Sequence, residues 1–262
     1  MSLILSSNTT DFTIKIDDPI TLLNNKNYEA ALTMLTTYNS YPNVMSENNT
    51  LKYSSDKGLT WKTISVPTGA YELLEINNEI QRQMIENNDY NEESHTFYIN
   101  ININKPTSKS ILEINNKDYI IDFTMENSIA STLGFDNTKY SYGIYESPNV
   151  TDIEKVNAIL VHCDLVTGST INGKNSQVLY SFSPTVNPGY KIIEIPKPQL
   201  YYHPVVKQPK IDKVRIWLTD QNNKLIDLRG EKVTVCIMIK EVDNAAKDIK
   251  DMFENYIKNF KN

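Results

Sequence analysis

Apolar residues in this chain recur at every second position over several separate runs, and that period confines those runs to strands. Phe12, Ile14 and Ile16 alternate with polar residues in DFTIKID, as do Val214, Ile216 and Leu218 in KVRIWLTD, and Val233, Val235, Ile237 and Ile239 in KVTVCIMIK. Successive strand side chains point to opposite faces, so each run has one apolar and one wetted face. Between the last two runs lies DQNNKLIDLRGE, with turn residues at Gln221, Asn222 and Asn223 and a Gly at 230 able to take positive φ. This predicts strands joined in an antiparallel meander. Pro184, Pro188, Pro196, Pro198, Pro204 and Pro209 exclude a long helix from 184 to 209 and leave room for a short strand in GYKIIEIP. Strands alternating with turn signals in this way predict an all-β sandwich or barrel.

Two segments carry helical periodicity instead. In PTGAYELLEINNEIQRQMIEN, Leu73, Ile76, Ile80 and Met84 fall on one helical face. In the C-terminal run DNAAKDIKDMFENYIKNFKN, Ile249, Met252, Phe253, Tyr256, Ile257 and Phe260 recur at three- and four-residue intervals, with Asp243 or Asn244 available as N-cap. A helix of about 16 residues spans only ~24 Å and is marginal alone in water. Those six residues are therefore candidate docking residues, packing either on the chain's own β-core or on a partner. A single turn at SIASTLGF is expected to end at Gly134. The expected organisation is a β-domain over 1–242, elaborated at about 67–135, and an amphipathic tail over 243–262.

The formal charge of −6 over 262 residues and a pI near 5.2 argue against sequence-specific nucleic-acid binding, because phosphate contacts need clustered Lys and Arg. No run approaches the ~20 apolar residues of a membrane-spanning helix, and MSLILSSNTTDF lacks a secretory h-region, so a soluble protein made in the cytosol is expected. The two cysteines lack metal-ligand spacing and read as reduced core residues.

No motif assembles catalytic chemistry. In ILVHCDLV, His162 and Cys163 are strand neighbours, and neighbours on a strand point apart. Cys163 reads as a core residue in register with Ile159, Val161 and Leu165. His95, His162 and His203 are scattered and form no zinc pattern. Gly173 and Lys174 lack the rest of a phosphate-binding loop, and TGSTINGK reads as a hairpin. Asp17, Asp18, Glu92 and Glu93 form adjacent pairs expected in solvated loops. Asn8, Asn48 and Asn149 each begin an Asn-x-Thr triplet. The 16 tyrosines are expected mostly at sheet margins, with a sugar- or partner-stacking surface as the functional alternative. No cofactor, metal site or catalytic residue is expected.

Several segments, taken in order, carry a resemblance. PITLLNNKNYEAALTMLTTYNSYPNV, VPTGAYELLEINNEIQRQM and IDFTMENSIASTLGF are followed by VNAILVHCDLVTGSTINGKNSQVLYSFSP, PGYKIIEIPKPQLYYHPV and IDKVRIWLTDQNNKLIDLRGEKVTVCIMIK. Together they resemble the penton, or minor capsid, proteins of Polinton (Maverick) elements and adintoviruses, up to about Val242. The resemblance implies an antiparallel jelly-roll β-sandwich with an inserted helix-containing segment. It further implies a homopentamer at each fivefold vertex of an icosahedral shell, beside a double jelly-roll major capsid protein. The expected location is the virion, after synthesis in the host cytoplasm and with nuclear assembly open. A carbohydrate- or receptor-binding β-sandwich is the competing reading.

Overall fold

The computed structural model describes residues 1–94, 96–153 and 156–242. Three long strands come first: β1 (Ser2–Ser7), β2 (Asp11–Thr21) and β3 (Tyr28–Tyr38). Next come β4 (Thr50–Ser54), β5 (Lys62–Ser65), α1 (Leu73–Glu86), β6 (Ile99–Asn104), β7 (Lys109–Ile114), β8 (Ile120–Asp122), α2 (Ala130–Leu133), β9 (Lys139–Tyr140) and β10 (Gly143–Glu146). The chain ends through β11 (Ile159–Cys163), β12 (Ser169–Ile171), β13 (Lys174–Ser176), β14 (Val178–Phe182), β15 (Lys191–Glu194), β16 (His203–Pro204), β17 (Lys210–Thr219) and β18 (Val233–Glu241).

Eight of these strands make two antiparallel sheets, in the orders β1-β18-β3-β15 and β14-β11-β17-β2, with β16 also pairing β3. Numbered one to eight along the chain, the orders are 1-8-3-6 and 5-4-7-2, the paired Greek keys of a jelly roll. The alternation seen in the sequence feeds this sandwich directly. Val214, Ile216 and Leu218 of one sheet and Val233, Val235, Ile237 and Ile239 of the other all enter one shared core.

The expected meander does not form. β17 and β18 lie in opposite sheets, and residues 220–232 cross between them. Period two fixes which face is buried, but both inner faces of a sandwich bury the same kind of residue. The crossing stays attached to the core through buried Ile226 and Leu228.

Residues between β3 and β11 build a second core of their own, running from Val44 to Phe135 and so beginning well upstream of position 67. It packs α1 against a three-stranded sheet, β10-β7-β6, and a four-stranded sheet, β5-β4-β8-β9. Helix α1 buries Leu73, Ile76, Ile80 and Met84 as its periodicity predicts, and starts with a capping box between Glu72 and Glu75. Helix α2 stops at Gly134, whose φ of 78° is left-handed. A Cβ on Gly134 would run into the carbonyl oxygen of Asn149, so close approach requires glycine there as well.

Tyrosines contribute more to this core than a marginal role allows. Tyr53 and Tyr119 are buried, and Tyr119 packs against Tyr98 with ring centroids 4.9 Å apart. The Tyr53 hydroxyl donates to Asp89 Oδ2 at 2.6 Å, and Lys62 Nζ meets the same oxygen. A polar tip with a buried partner lets an aromatic body fill a core.

The sandwich has two distinct ends. At the one facing the inserted module, Asn39 and Ser40, just beyond β3, bond to Val186 and Leu228, Asn157 bonds to Gln221, and Asn187 Nδ2 reaches the module's Glu72. At the other, Leu22 bonds to Pro209, Val205 to Tyr28, Val206 to Leu165, and Val242 to Asn27. Met1 and Ile239 bond there too.

Candidate functional site

The residues singled out for chemistry are placed apart. Cys163 lies inside the sandwich core with Ile159, Val161 and Leu165. Burial pushes its thiol up to about 12, so at neutral pH it is protonated and unreactive. His162 points to the outer face, where its ring stacks on Trp217 at 4.8 Å and 10°. Its Nε2 is 2.9 Å from Thr219 Oγ1, its Nδ1 has no partner, and burial lowers its pKa to about 4. The two side chains face opposite sides of β11, as their adjacency predicts.

The Trp217 ring also carries the Arg215 guanidinium, 4.8 Å from its centroid. Arg215 holds Asp11 in a two-pronged contact, Nε to Oδ1 at 2.9 Å and Nη2 to Oδ2 at 2.6 Å. This hydrogen bond holds the Asp11 carboxyl below its usual range. The arrangement braces β17 against β2.

Asp17 and Asp18 sit in β2 rather than in a loop, exposed beside a register shift at Ile211/Lys213 of the partner strand. β2 is a sheet edge, which is why it also accommodates Pro19. Glu92 and Glu93 are exposed in a turn. Asn172 and Gly173, both with positive φ, turn the β12–β13 hairpin, as TGSTINGK predicts. Of the Asn-x-Thr triplets, Asn48 is buried and donates to Asn43 O and Thr132 Oγ1. Among the described residues no three His, Cys, Asp or Glu side chains gather as a metal site, and no helix is long and apolar enough to cross a membrane. His95 and the six tail residues Ile249, Met252, Phe253, Tyr256, Ile257 and Phe260 lie outside the described residues.

What the surface does offer is apolar area on the outer face of the β1-β18-β3-β15 sheet. Register aligns Ile4 with Cys236 and Met34, Ser2 with Met238, and Thr36 with Ile193. Ile4 is 72% exposed, Ile193 60% and Ile195 47%, while Met238 is also exposed. Side chains of this kind, clustered on one face, suit packing against another protein. Alternation in β1 and β15 could have revealed it, because each strand is apolar at both parities: Leu3 and Leu5 inward with Ile4 outward, Ile192 inward with Ile193 outward.

No protein-family model matches the chain, and no curated protein matches it. Among solved structures, the crystal structure of the mavirus penton protein superposes over 92% of this chain and 98% of its own, with a TM-score of 0.50 and 12% identity. The fold is that of the mavirus penton protein. A second likeness, to a chain of the Sputnik virophage structure, covers 94% and 99% at a TM-score of 0.41 and 13% identity and adds no weight. The penton likeness extends across the inserted module as well as the sandwich, since the coverage leaves no room to omit residues 44–135. At this identity the likeness concerns the fold.

Proposed function

We propose that the chain is a structural subunit of a viral capsid, a minor capsid protein that forms homopentamers at the fivefold vertices of an icosahedral shell. One observation carries the reading: a jelly roll with a large module between its third and fourth strands matches a penton protein over nearly the whole of both chains. A jelly roll alone hosts many functions, whereas the shared elaboration ties the likeness to one architecture. The partner implied is a double jelly-roll major capsid protein, and the elements implied are Polintons (Mavericks) and adintoviruses.

Fivefold assembly is heterologous: one patch of each copy receives a different patch of the next, and the ring closes after five steps. The apolar outer face bearing Ile4 and Ile193 supplies one such patch. The expected result is a pentamer by mass photometry, alone or with the major capsid protein, and density for this chain at the fivefold axes of a particle reconstruction. Particles whose vertices hold another protein would refute the reading.

A glycan- or receptor-binding role has one observation in its favour. A groove of about 540 Å³ beside β14 brings Tyr180, Tyr201 and Tyr202 together with Ser169, Thr170 and Ser181. A glycan array that returns binding abolished by Tyr201→Ala would favour that role.

A further inference from the structure

The end of the sandwich opposite the inserted module carries a groove of about 570 Å³. Its apolar lining includes Leu22, Leu23, Tyr28, Val205, Val206 and Val242. Leu23 is 54% exposed and Val206 38% exposed, although the backbone around them is fixed. Leu22 N–H donates to Pro209 O, Val205 N–H to Tyr28 O, and Leu23 N–H to Tyr28 Oη. An ordered frame that leaves Leu23 and Val206 open to water beside buried Leu22 and Val205 is a seat for something apolar.

The chain itself supplies an occupant. Val242 both lines the groove and bonds to Asn27, so the polypeptide leaves the sandwich from the groove's own wall. The 20 residues that follow carry the apolar stripe of Ile249, Met252, Phe253, Tyr256, Ile257 and Phe260. Six residues separate Val242 from Ile249, and a stretch of that length reaches at most ~25 Å, enough to turn back onto the groove. A tether so short holds the stripe at roughly millimolar effective concentration, far above that of a neighbouring copy in dilute solution.

We infer that this groove seats the apolar stripe of residues 243–262 of the same chain. The groove is built from the β2–β3, β11–β12 and β16–β17 connections, and its occupant comes from the same chain before any assembly takes place. The inference stands apart from the capsid reading and can fail or succeed without it.

Disulfide trapping in the full-length protein tests it. Leu23→Cys is combined in turn with Ile249→Cys, Phe253→Cys and Tyr256→Cys; the native thiols Cys163 and Cys236 are buried and remain spectators. The expected result is an intrachain disulfide from at least one pair, with a yield independent of protein dilution. The same three tail cysteines paired with Leu59→Cys, an exposed site on the inserted module, should give none. No intrachain bond, or a yield equal to the Leu59 control, would overturn the inference. So would crosslinks that form only between chains when single-cysteine variants are mixed.

A second measurement does not depend on any cysteine pair. Ending the chain after Val242 should speed amide exchange at Leu22–Tyr28 and Val205–Gln208 by about ten-fold while leaving Ile101 in the inserted module unchanged. Equal exchange at the groove in both proteins would contradict the inference.

Discussion

His162 shows how much a single buried ring fixes. Desolvation holds its folded-state pKa near 4, below the ordinary 6.5, so the unfolded chain binds the extra proton first as pH falls. Its contribution to stability is full above pH 6.5 and is lost progressively from there down to about pH 4. Across that window the loss amounts to roughly 3 kcal/mol. Thermal melts between pH 7.5 and 4.5 should show this slope, and His162→Phe, which keeps a ring against Trp217, should flatten it; an unchanged slope would mean that other groups carry the acid sensitivity. Gly134 is the second residue whose identity the structure dictates. Gly134→Ala combines a left-handed φ with a clash at Asn149, and chemical denaturation should register a loss of about 1–3 kcal/mol. The sequence pointed to Gly134 as a helix stop, but the second reason for it, a chain segment 15 residues later pressed against it, is long-range and carries no local signal.

At the scale of elements, α1 separates what periodicity reveals from what it hides. Leu73, Ile76, Ile80 and Met84 are legible because burial recurs with the helical turn. Asn77 is buried on the same helix and accepts the Ile101 N–H at 2.8 Å, tying α1 to β6. A polar residue beside an apolar stripe reads as surface until its partner strand is known. Asn77→Ala leaves that amide unsatisfied and should destabilise the protein by about 1–3 kcal/mol, with accelerated exchange of the Ile101 amide as the specific readout. Loss of stability without that local change would point to packing instead. The misplaced meander has a comparable cause. Strand faces are local, whereas the assignment of β17 and β18 to opposite sheets depends on contacts with β2 and β3 some 200 residues away. The candidate interface was only partly legible for the same reason: Ile4 and Ile193 are ordinary strand residues one by one, and only the sheet order puts them on one outer face, at its opposite edges β1 and β15.

Across the whole molecule, the two cores are distinct clusters with a shared doorway. The inserted module is entered and left at one point, where Asn43 Nδ2 donates to Ile153 O at 3.0 Å. Replacing residues 44–152 with a short Gly-Ser loop should therefore leave the sandwich folded, because none of its core residues comes from the excised stretch. Far-ultraviolet circular dichroism and a single cooperative melt would confirm it; an insoluble or molten product would show that the sandwich needs the module to fold.

The edges of the four-stranded sandwich sheet bear on a different matter, the behaviour of many copies crowded together. At β14 the Val178 amide is taken by Ser169 Oγ and the His203 ring bonds to the Leu179 backbone. At β2 the free rim carries Asp17, Asp18 and Pro19. Both rims are thereby made poor templates for a strand from another molecule, the route by which concentrated β-proteins grow into fibrils. Crowding at this sheet then favours contacts through its outer face over edge pairing, and Asp17→Val/Pro19→Val protein should turn thioflavin-positive at concentrations where the unsubstituted protein stays negative.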